Sequence, residues 1–181
     1  MPKKPEILAT RTLAKTRVFN VEQLDLRFAN GTEVQYERLV GSKRGAVLIV
    51  PMLDRDTVLL IREYAAGTHS YELGLPKGKV EGDETLLDAA NREIMEEVGY
   101  AARRLTHITS VSVAPGYLDH HTHVILAEDL YPQRREGDEP ETIEVIPWQL
   151  EALDALVARD DFTEARSIAA LFLVRERYRH G

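Results

Sequence analysis

Residues 78–100 read GKVEGDETLLDAANREIMEEVGY, and this stretch decides the fold. It begins inside residues 74–83, which contain three glycines and a proline and are predicted to form a loop. Residues 84–98 contain neither residue type and are predicted to form a helix. Gly99 is expected to end that helix, because glycine readily adopts the left-handed conformation of a C-terminal cap.

Three carboxylates are predicted to share one face of this helix. Glu93, Glu96 and Glu97 lie at i, i+3 and i+4, so their side chains are neighbours. Carboxylates this close repel one another unless a cation binds among them. A ligand set made only of oxygens favours hard cations such as Mg²⁺ or Mn²⁺. A metal there would offset the charge of a diphosphate and activate the attacking water.

Neighbouring residues are expected to support such a site. Arg92 can reach Glu96 one turn further on, and the glycine loop around Gly78 lets the backbone approach closely. The backbone carbonyl of Lys77 is a candidate to complete the metal shell. Another side of the helix is apolar and is expected to pack against a sheet; it carries Leu87, Ile94 and Val98.

An acidic run on a helix is often only a solvated face, and three glutamates alone leave that interpretation open. The complete pattern argues against it, because seven fixed residues at fixed spacing coincide by chance at roughly 10⁻⁸ per window. These residues are Gly78, Glu84, Arg92, Glu93, Glu96, Glu97 and Gly99.

The pattern resembles the Nudix box, with one mild departure at Tyr100, where the family more often has an aliphatic residue. The resemblance implies an α/β fold, the Nudix α/β/α sandwich with a mixed sheet. It also implies hydrolysis of a nucleoside diphosphate linked to another moiety. The metal-binding and catalytic carboxylates would be Glu93, Glu96 and Glu97, with Glu97 as the central ligand. Glu84 is expected to support them and is a further candidate metal ligand.

Elsewhere, alternating apolar residues around Asn30-Gly31 predict a β-hairpin over residues 17–40, because both turn residues tolerate positive φ. Apolar runs predict buried strands at residues 46–51 and 57–61. Further strands are expected near residues 107–113, 123–128 and 143–146, and helices over 147–158 and 164–179. Strands mixed with helices again indicate an α/β sandwich.

We expect residues 1–44 to form an N-terminal β-hairpin region and residues 45–181 to form the hydrolase domain. By resemblance, relatives of this length usually form homodimers in which the N-terminal strands cross onto the partner. The hairpin is the right element for that role, although from the sequence it could equally add to its own sheet.

The substrate is indicated by resemblance rather than by spacing. Pro115 lies fifteen residues after Tyr100, where a proline resembles the marker of ADP-ribose pyrophosphatases; it could also be only a turn proline. Runs such as LLIREY at residues 59–64 and FTEAR at 162–166 are similar to ADP-compound hydrolases of the NudE type, a subgroup of the Nudix family. The implied substrates are ADP-ribose, diadenosine polyphosphates and NADH, with AMP as a product.

A general base is still needed, or a group that orients water. In ADP-ribose pyrophosphatases a glutamate in a loop beyond the box often serves, and Glu139 and Glu141 are the candidates here; each could instead belong to a solvated turn. Arg62 is a candidate diphosphate clamp, since a guanidinium binds phosphate oxygens as a fork. Its alternative is a surface charge at a strand end. Glu72 is expected to orient Arg62 or to contact substrate.

Composition and charge argue against several other classes of function. The chain has 181 residues, a formal net charge of −7 and no cysteine. The acidic balance argues against binding to nucleic-acid polymers, and the lack of cysteine excludes disulfides, thiol nucleophiles and cysteine-ligated zinc. No apolar run is long enough to span a bilayer. The basic N-terminal segment has no apolar stretch after it, so we expect no signal peptide or anchor and a cytoplasmic location.

Two other functions stay open. One is hydrolysis of another nucleoside diphosphate sugar, such as GDP-mannose. The other is a Nudix-like regulator that binds nucleotides without catalysis, against which the intact set of Glu93, Glu96 and Glu97 argues, since a binder does not need mutually repelling carboxylates.

Overall fold

The computed structural model describes residues 2–180 and divides the chain into two compact units. The first comprises the chain up to Gly45 together with Ser112–His121. The second comprises Ala46–Val111 and the chain from Thr122 onward. Within residues 2–180, no helix is both long and apolar enough to cross a membrane.

The first unit is a four-stranded sheet. Its strands are β1 (Glu6–Lys15), β2 (Asn20–Arg27), β3 (Glu33–Val40) and β9 (Leu118–Asp119), in the order β1-β2-β3-β9. The predicted hairpin is confirmed: β2 and β3 pair antiparallel around Asn30-Gly31, and Gly31 has a φ of +85°. Strand β1 was not predicted, because its apolar side chains are exposed and no buried face imposes a clear alternation.

The second unit contains two sheets. Their strands are β4 (Ala46–Pro51), β5 (Thr57–Ala65), β6 (Ser70–Gly74), β7 (Lys77–Lys79), β8 (Tyr100–Val111), β10 (Thr122–Pro132) and β11 (Glu144–Gln149). The first sheet has the order β7-β4-β10-β8, and the second has the order β11-β5-β6. Strands β4 and β10 pair in parallel, while the other pairs are antiparallel, so the predicted mixed sheet is confirmed.

Packing on both faces explains why a strand such as β4 is apolar along its whole length. Successive side chains of a strand point to opposite faces. In β4, Leu48 and Val50 join a core with α2 (Leu153–Val157) and α3 (Ala165–His180), whereas Val47 and Ile49 join a core with α1 (Leu86–Glu93). Helices therefore cover both faces of the strand layer, and the predicted α/β/α sandwich is confirmed.

The helix predicted over residues 84–98 has two parts. It begins at Leu86, because Thr85 forms a capping box with Asp88, whose backbone N–H donates to Thr85 Oγ1 at 3.1 Å. After Glu93 the backbone continues as a π-helical turn (Ile94–Val98), which ends at Gly99 with a φ of +82°. The predicted glycine cap is thus confirmed, while the helix is α-helical over only its first part.

Several local predictions were wrong. The loop predicted over residues 74–83 contains β7, which pairs with β4. The helix predicted over residues 147–158 begins late, because Pro147 belongs to β11; this is an edge strand, where a missing N–H costs no ladder bond. A 3₁₀ turn (Leu150–Ala152) and α2 follow. Ile94 and Val98 are buried as expected, but Leu87 is exposed.

Two leucines on α3 offer a test of the core next to that helix. Leu171 is 1% exposed, whereas Leu173 is 42% exposed. We expect Leu171→Ala to lower the free energy of unfolding by about 2–5 kcal/mol, the range for truncating a buried leucine. The matched control Leu173→Ala should lower it by less than about 1 kcal/mol. Urea denaturation measures both; equal losses would contradict the described packing.

Candidate active site

The guanidinium of Arg92 connects the acidic residues around α1. Its Nη1 donates to Glu93 Oε1 at 2.8 Å and to Glu96 Oε2 at 3.0 Å. Its Nη2 and Nε donate to the two carboxylate oxygens of Glu84, at 2.9 and 3.2 Å, and this contact lowers the pKa of Glu84. Nη2 also donates to the carbonyl of Lys79 at 2.9 Å. The predicted contact from Arg92 to Glu96 is therefore present, and the same side chain also holds Glu84 and Glu93.

Glu93 lies against strand β7 in the space that the lack of a side chain at Gly78 leaves open. A Cβ atom added to Gly78 would overlap the carboxylate of Glu93, so no larger residue fits there without a shift. The Glu93 side chain is buried, and burial raises its pKa against the opposing effect of Arg92. Gly78 thus permits the close approach that the sequence pattern predicts.

Glu97 lies in the π-helical turn and is the most buried of the acidic residues of this helix, at 3% exposure. Its Oε2 accepts a hydrogen bond from the backbone N–H of Lys77 at 3.0 Å. Burial raises its pKa to about 8; the positive charge of Lys77 opposes this shift and Glu93 adds to it. The Lys77 backbone therefore meets Glu97 through its N–H, while the role of the Lys77 carbonyl in metal binding stays a prediction.

The arrangement has the chemistry of a site for a hard divalent cation. Its donors are carboxylate oxygens, and two of them, on Glu93 and Glu97, are buried with raised pKa values. Across residues 2–180, no group of three or more His, Asp or Glu side chains has converged into a metal-binding arrangement. Instead, the oxygens of Glu84, Glu93 and Glu96 contact Arg92. The residues fit a metal by donor type and burial.

The segment between β10 and β11, residues 133–143, carries both predicted base candidates and is called the acidic loop below. Its start is hydrogen-bonded to the π-helical turn and its cap: the N–H of Gln133 donates to Gly99 O, and that of Arg135 to Met95 O, each at 3.1 Å. The Arg135 guanidinium also pairs with Glu96 at 3.2 Å. The acidic loop is thereby fixed beside the carboxylates of the helix.

Glu139 and Glu141 occupy different surroundings in the acidic loop. Glu139 lines a cavity of about 520 Å³ with Glu96, and another of about 350 Å³ with Glu63 and Arg62. Burial raises the pKa of Glu139, and the negative charge of Glu63 adds to the shift. Glu141 lines both cavities as well, but its Oε1 accepts a hydrogen bond from the Tyr71 hydroxyl at 2.8 Å.

Arg62 is held by two carboxylates. Its Nε donates to Glu144 at 3.0 Å and its Nη1 to Asp161 at 2.7 Å. Glu72 instead accepts hydrogen bonds from Ser70 and Thr163. Strand register explains the difference, because Arg62 lies opposite Leu73 while Glu72 lies opposite Glu63, so Arg62 and Glu72 project to different faces. Glu144 and Asp161, and not Glu72, therefore orient Arg62. The other role expected of Glu72, contact with substrate, stays a prediction.

Pro115 belongs to the first unit. There it lines a cavity of about 330 Å³ together with Leu24, Tyr36 and Tyr117. Its predicted contact with substrate stays a prediction.

Sequence reasoning missed an ion pair next to the helix. Lys77 Nζ contacts Glu63 Oε2 at 2.5 Å. A signal was available, because Glu63 continues the alternation of Leu59 and Ile61, which face the core next to α1. Asp161, which holds Arg62, lies 99 residues away in the chain and had no such signal.

Family models cover most of the chain. A model described as the NUDIX domain matches residues 42–172, and a model described as the NudE-type Nudix hydrolase N-terminal domain matches residues 5–38. The resemblance stated from the box residues and the flanking runs is therefore confirmed.

Individual proteins agree with these matches. ADP compounds hydrolase NudE of Escherichia coli (strain K12) is 49% identical over 96% of this chain and 92% of that protein. ADP-ribose pyrophosphatase of Bacillus subtilis (strain 168) is 31% identical over 91% of each chain. A solved structure described as a crystal structure of ADP compounds hydrolase superposes with a TM-score of 0.93 and 47% identity, covering 99% of this chain and 97% of that one. The chain belongs to the Nudix hydrolase family.

Proposed function

We propose that the protein hydrolyses the diphosphate linkage of ADP-containing compounds, namely ADP-ribose, diadenosine polyphosphates and NADH, and releases AMP. The observation that carries the proposal is the pair of buried carboxylates, Glu93 and Glu97, which lie against strand β7 at Gly78 and Lys77. Burial raises the pKa of both carboxyls, and a bound divalent cation would stabilise their ionised forms. The names of its similar relatives support ADP compounds as the substrate class.

Mg²⁺ is the proposed cofactor, and Mn²⁺ is expected to substitute for it. Glu93, Glu96 and Glu97 would hold the metal, with Glu84 and the Lys77 carbonyl as further ligands. Bound there, the metal supplies charge neutralisation on the diphosphate and activation of water. Arg92, which already contacts Glu84, Glu93 and Glu96, orients these carboxylates.

The remaining residues have proposed roles around the substrate. Glu139 and Glu141 are the candidates to take the proton of the attacking water. Arg62 keeps three of its five N–H donors beyond the two that bind Glu144 and Asp161, so it can still contact a phosphate oxygen. Glu72 and Pro115 are proposed to contact other parts of the substrate.

The substrate class is tested by a product assay. The purified protein is incubated with Mg²⁺ and, separately, with ADP-ribose, NADH, diadenosine triphosphate and GDP-mannose, and kcat/KM is ranked. We expect AMP from the first three, little turnover of GDP-mannose, and no turnover of any substrate in excess EDTA. Preference for GDP-mannose would favour the other sugar nucleotide function. Binding of nucleotide without turnover would favour a regulator.

The metal-binding role is tested with Glu97→Gln. The amide oxygen can still accept the Lys77 N–H, but the negative charge is lost. We expect kcat to fall by roughly a hundredfold or more, because metal charge stabilisation contributes several kcal/mol to the transition state. The urea midpoint should not fall, since the variant no longer buries an ionisable carboxyl.

A second readout for Glu97→Gln does not depend on turnover. Mg²⁺ should raise the Tm of the wild-type protein, because a ligand that binds only the folded state stabilises it. This rise should be absent or much smaller in the variant. Glu151→Gln, at an exposed glutamate of the 3₁₀ turn, is the matched control and should behave as wild type. Wild-type activity in Glu97→Gln would rule out the assignment.

We also propose that the protein is a homodimer formed through the N-terminal unit. Strand β1 lies at the edge of its sheet and exposes Ile7, Leu8 and Leu13. Long exposed apolar edge strands are unusual in monomers and are normally covered. A second copy of the chain would cover them.

The dimer is tested by light scattering after size-exclusion chromatography. We expect the wild-type mass to be that of two chains and the double variant Ile7→Asp/Leu13→Asp to give one chain, since charge on this surface opposes its burial. The matched control is Thr10→Asp/Thr12→Asp, which puts the same charges at exposed polar positions of β1. A wild-type monomer, or a dimer that survives in the first variant, would contradict the proposal.

A further inference from the structure

The acidic loop is fixed at both ends, and in its middle a side-chain hydrogen bond joins it to β6. At its start, backbone bonds tie Gln133 and Arg135 to the π-helical turn. At its end, Glu144 enters β11 opposite Arg62. Between them, the Tyr71 hydroxyl donates to Glu141 Oε1 at 2.8 Å. This contact joins the loop to β6, two strands away from β11 in the sheet order β11-β5-β6.

The ring of Tyr71 has a fixed direction although it is 51% exposed. It packs edge-on against Tyr64, with 5.8 Å between ring centroids. The Tyr64 ring also contacts His69, whose Nδ1 is 2.8 Å from the Tyr64 hydroxyl and whose ring is edge-on at 6.0 Å. The Tyr71 hydroxyl therefore reaches the loop from a braced aromatic pair and is not a freely rotating surface group.

The two loop glutamates differ in what surrounds them. Both line the cavities that also contain Glu63 and Glu96, but only Glu141 accepts a hydrogen bond from the Tyr71 hydroxyl. Only Pro140 separates them, so fixing the carboxylate of Glu141 restricts where the carboxylate of Glu139 can lie. In this arrangement Glu139 shares a cavity with Glu96 of the π-helical turn.

We propose that Tyr71 is a positioning residue: by donating to Glu141, it holds the acidic loop so that Glu139 faces the metal-binding carboxylates. Glu139 is then the loop residue that acts on water, and Glu141 is the anchor of the loop. This inference rests on the proposed hydrolase function, and it divides between Glu139 and Glu141 a role for which the sequence pattern named both.

The kinetic test uses Tyr71→Phe, which removes the hydroxyl and keeps the ring. We expect kcat on ADP-ribose to fall roughly three- to tenfold, the range for one lost hydrogen bond, with KM within about twofold. Tyr178→Phe is the matched control, because it also removes a tyrosine hydroxyl that donates to a glutamate, here Glu128 Oε1 at 2.8 Å, on α3 and away from the acidic loop. Its kcat should stay within about twofold of wild type.

The division between the two glutamates predicts a pattern across four further variants. Glu141→Ala should lower kcat about as much as Tyr71→Phe, and the double variant should lose no more than Glu141→Ala alone, because both remove one contact. Glu141→Gln should recover part of this loss, since its amide oxygen can accept the same hydrogen bond. Glu139→Gln should lower kcat roughly a hundredfold or more, as expected for a general base.

The proposal is overturned if Tyr71→Phe keeps wild-type kcat, if the losses of Tyr71→Phe and Glu141→Ala add, or if Glu141→Gln falls as far as Glu139→Gln. Limited proteolysis of the acidic loop gives a test without turnover. A glutamate-specific protease should cleave after Glu136 and Glu141 faster in Tyr71→Phe than in wild type or Tyr178→Phe, because opening of the loop costs less. Equal cleavage rates would overturn the anchor. Failure of the proposed function itself would appear separately, as absence of ADP-ribose hydrolysis by the wild-type protein.

Discussion

Burial of the Glu93 and Glu97 carboxylates against β7 is the constraint on which the rest of the site depends. Charge removed from water is costly unless it is compensated. Arg92 compensates Glu93 directly and ties Glu84 and Glu96 to the same guanidinium. Gly78 gives Glu93 the space in which to lie. The glycine, the arginine and the glutamates are thus parts of one electrostatic arrangement, and this explains why all of them occur in one short pattern.

The π-helical turn belongs to the same arrangement. The N–H of Gly99 donates to Ile94 O at 2.9 Å, one residue further back than in an α-helix, so the last turn is wider. The widened turn carries Glu96 and Glu97, and it keeps both Ile94 and Val98 in the core. Glu97 can therefore reach the backbone of Lys77 while apolar neighbours on either side stay buried. The start of the acidic loop then binds to this turn through Met95 and Gly99.

Burial decided which parts of the fold could be predicted from the sequence. Strands β4, β5 and β10 and helix α3 were predicted, because their side chains fill the two cores and leave a strong apolar pattern. Strand β1 has no such apolar pattern, since its apolar residues are exposed, and β7 is too short to show an alternation of apolar and polar residues. Pro147 suggested a helix start because that is a common place for proline, but an edge strand tolerates it equally well.

Distance along the chain decided which contacts of the site could be predicted from the sequence. The carboxylates of the helix interact over three or four residues, so their spacing is visible in the sequence and Arg92, Glu93, Glu96 and Glu97 could be predicted together. The other contacts join distant parts of the chain: Tyr71 and Glu141 are 70 residues apart, and Arg62 and Asp161 are 99 residues apart. The first pair follows from the strand order β11-β5-β6, and the second from a backbone bond that Leu73 of β6 donates to Asp161; no local pattern encodes either. One sequence therefore identifies the groups suited to the chemistry more readily than the contacts that hold those groups in place.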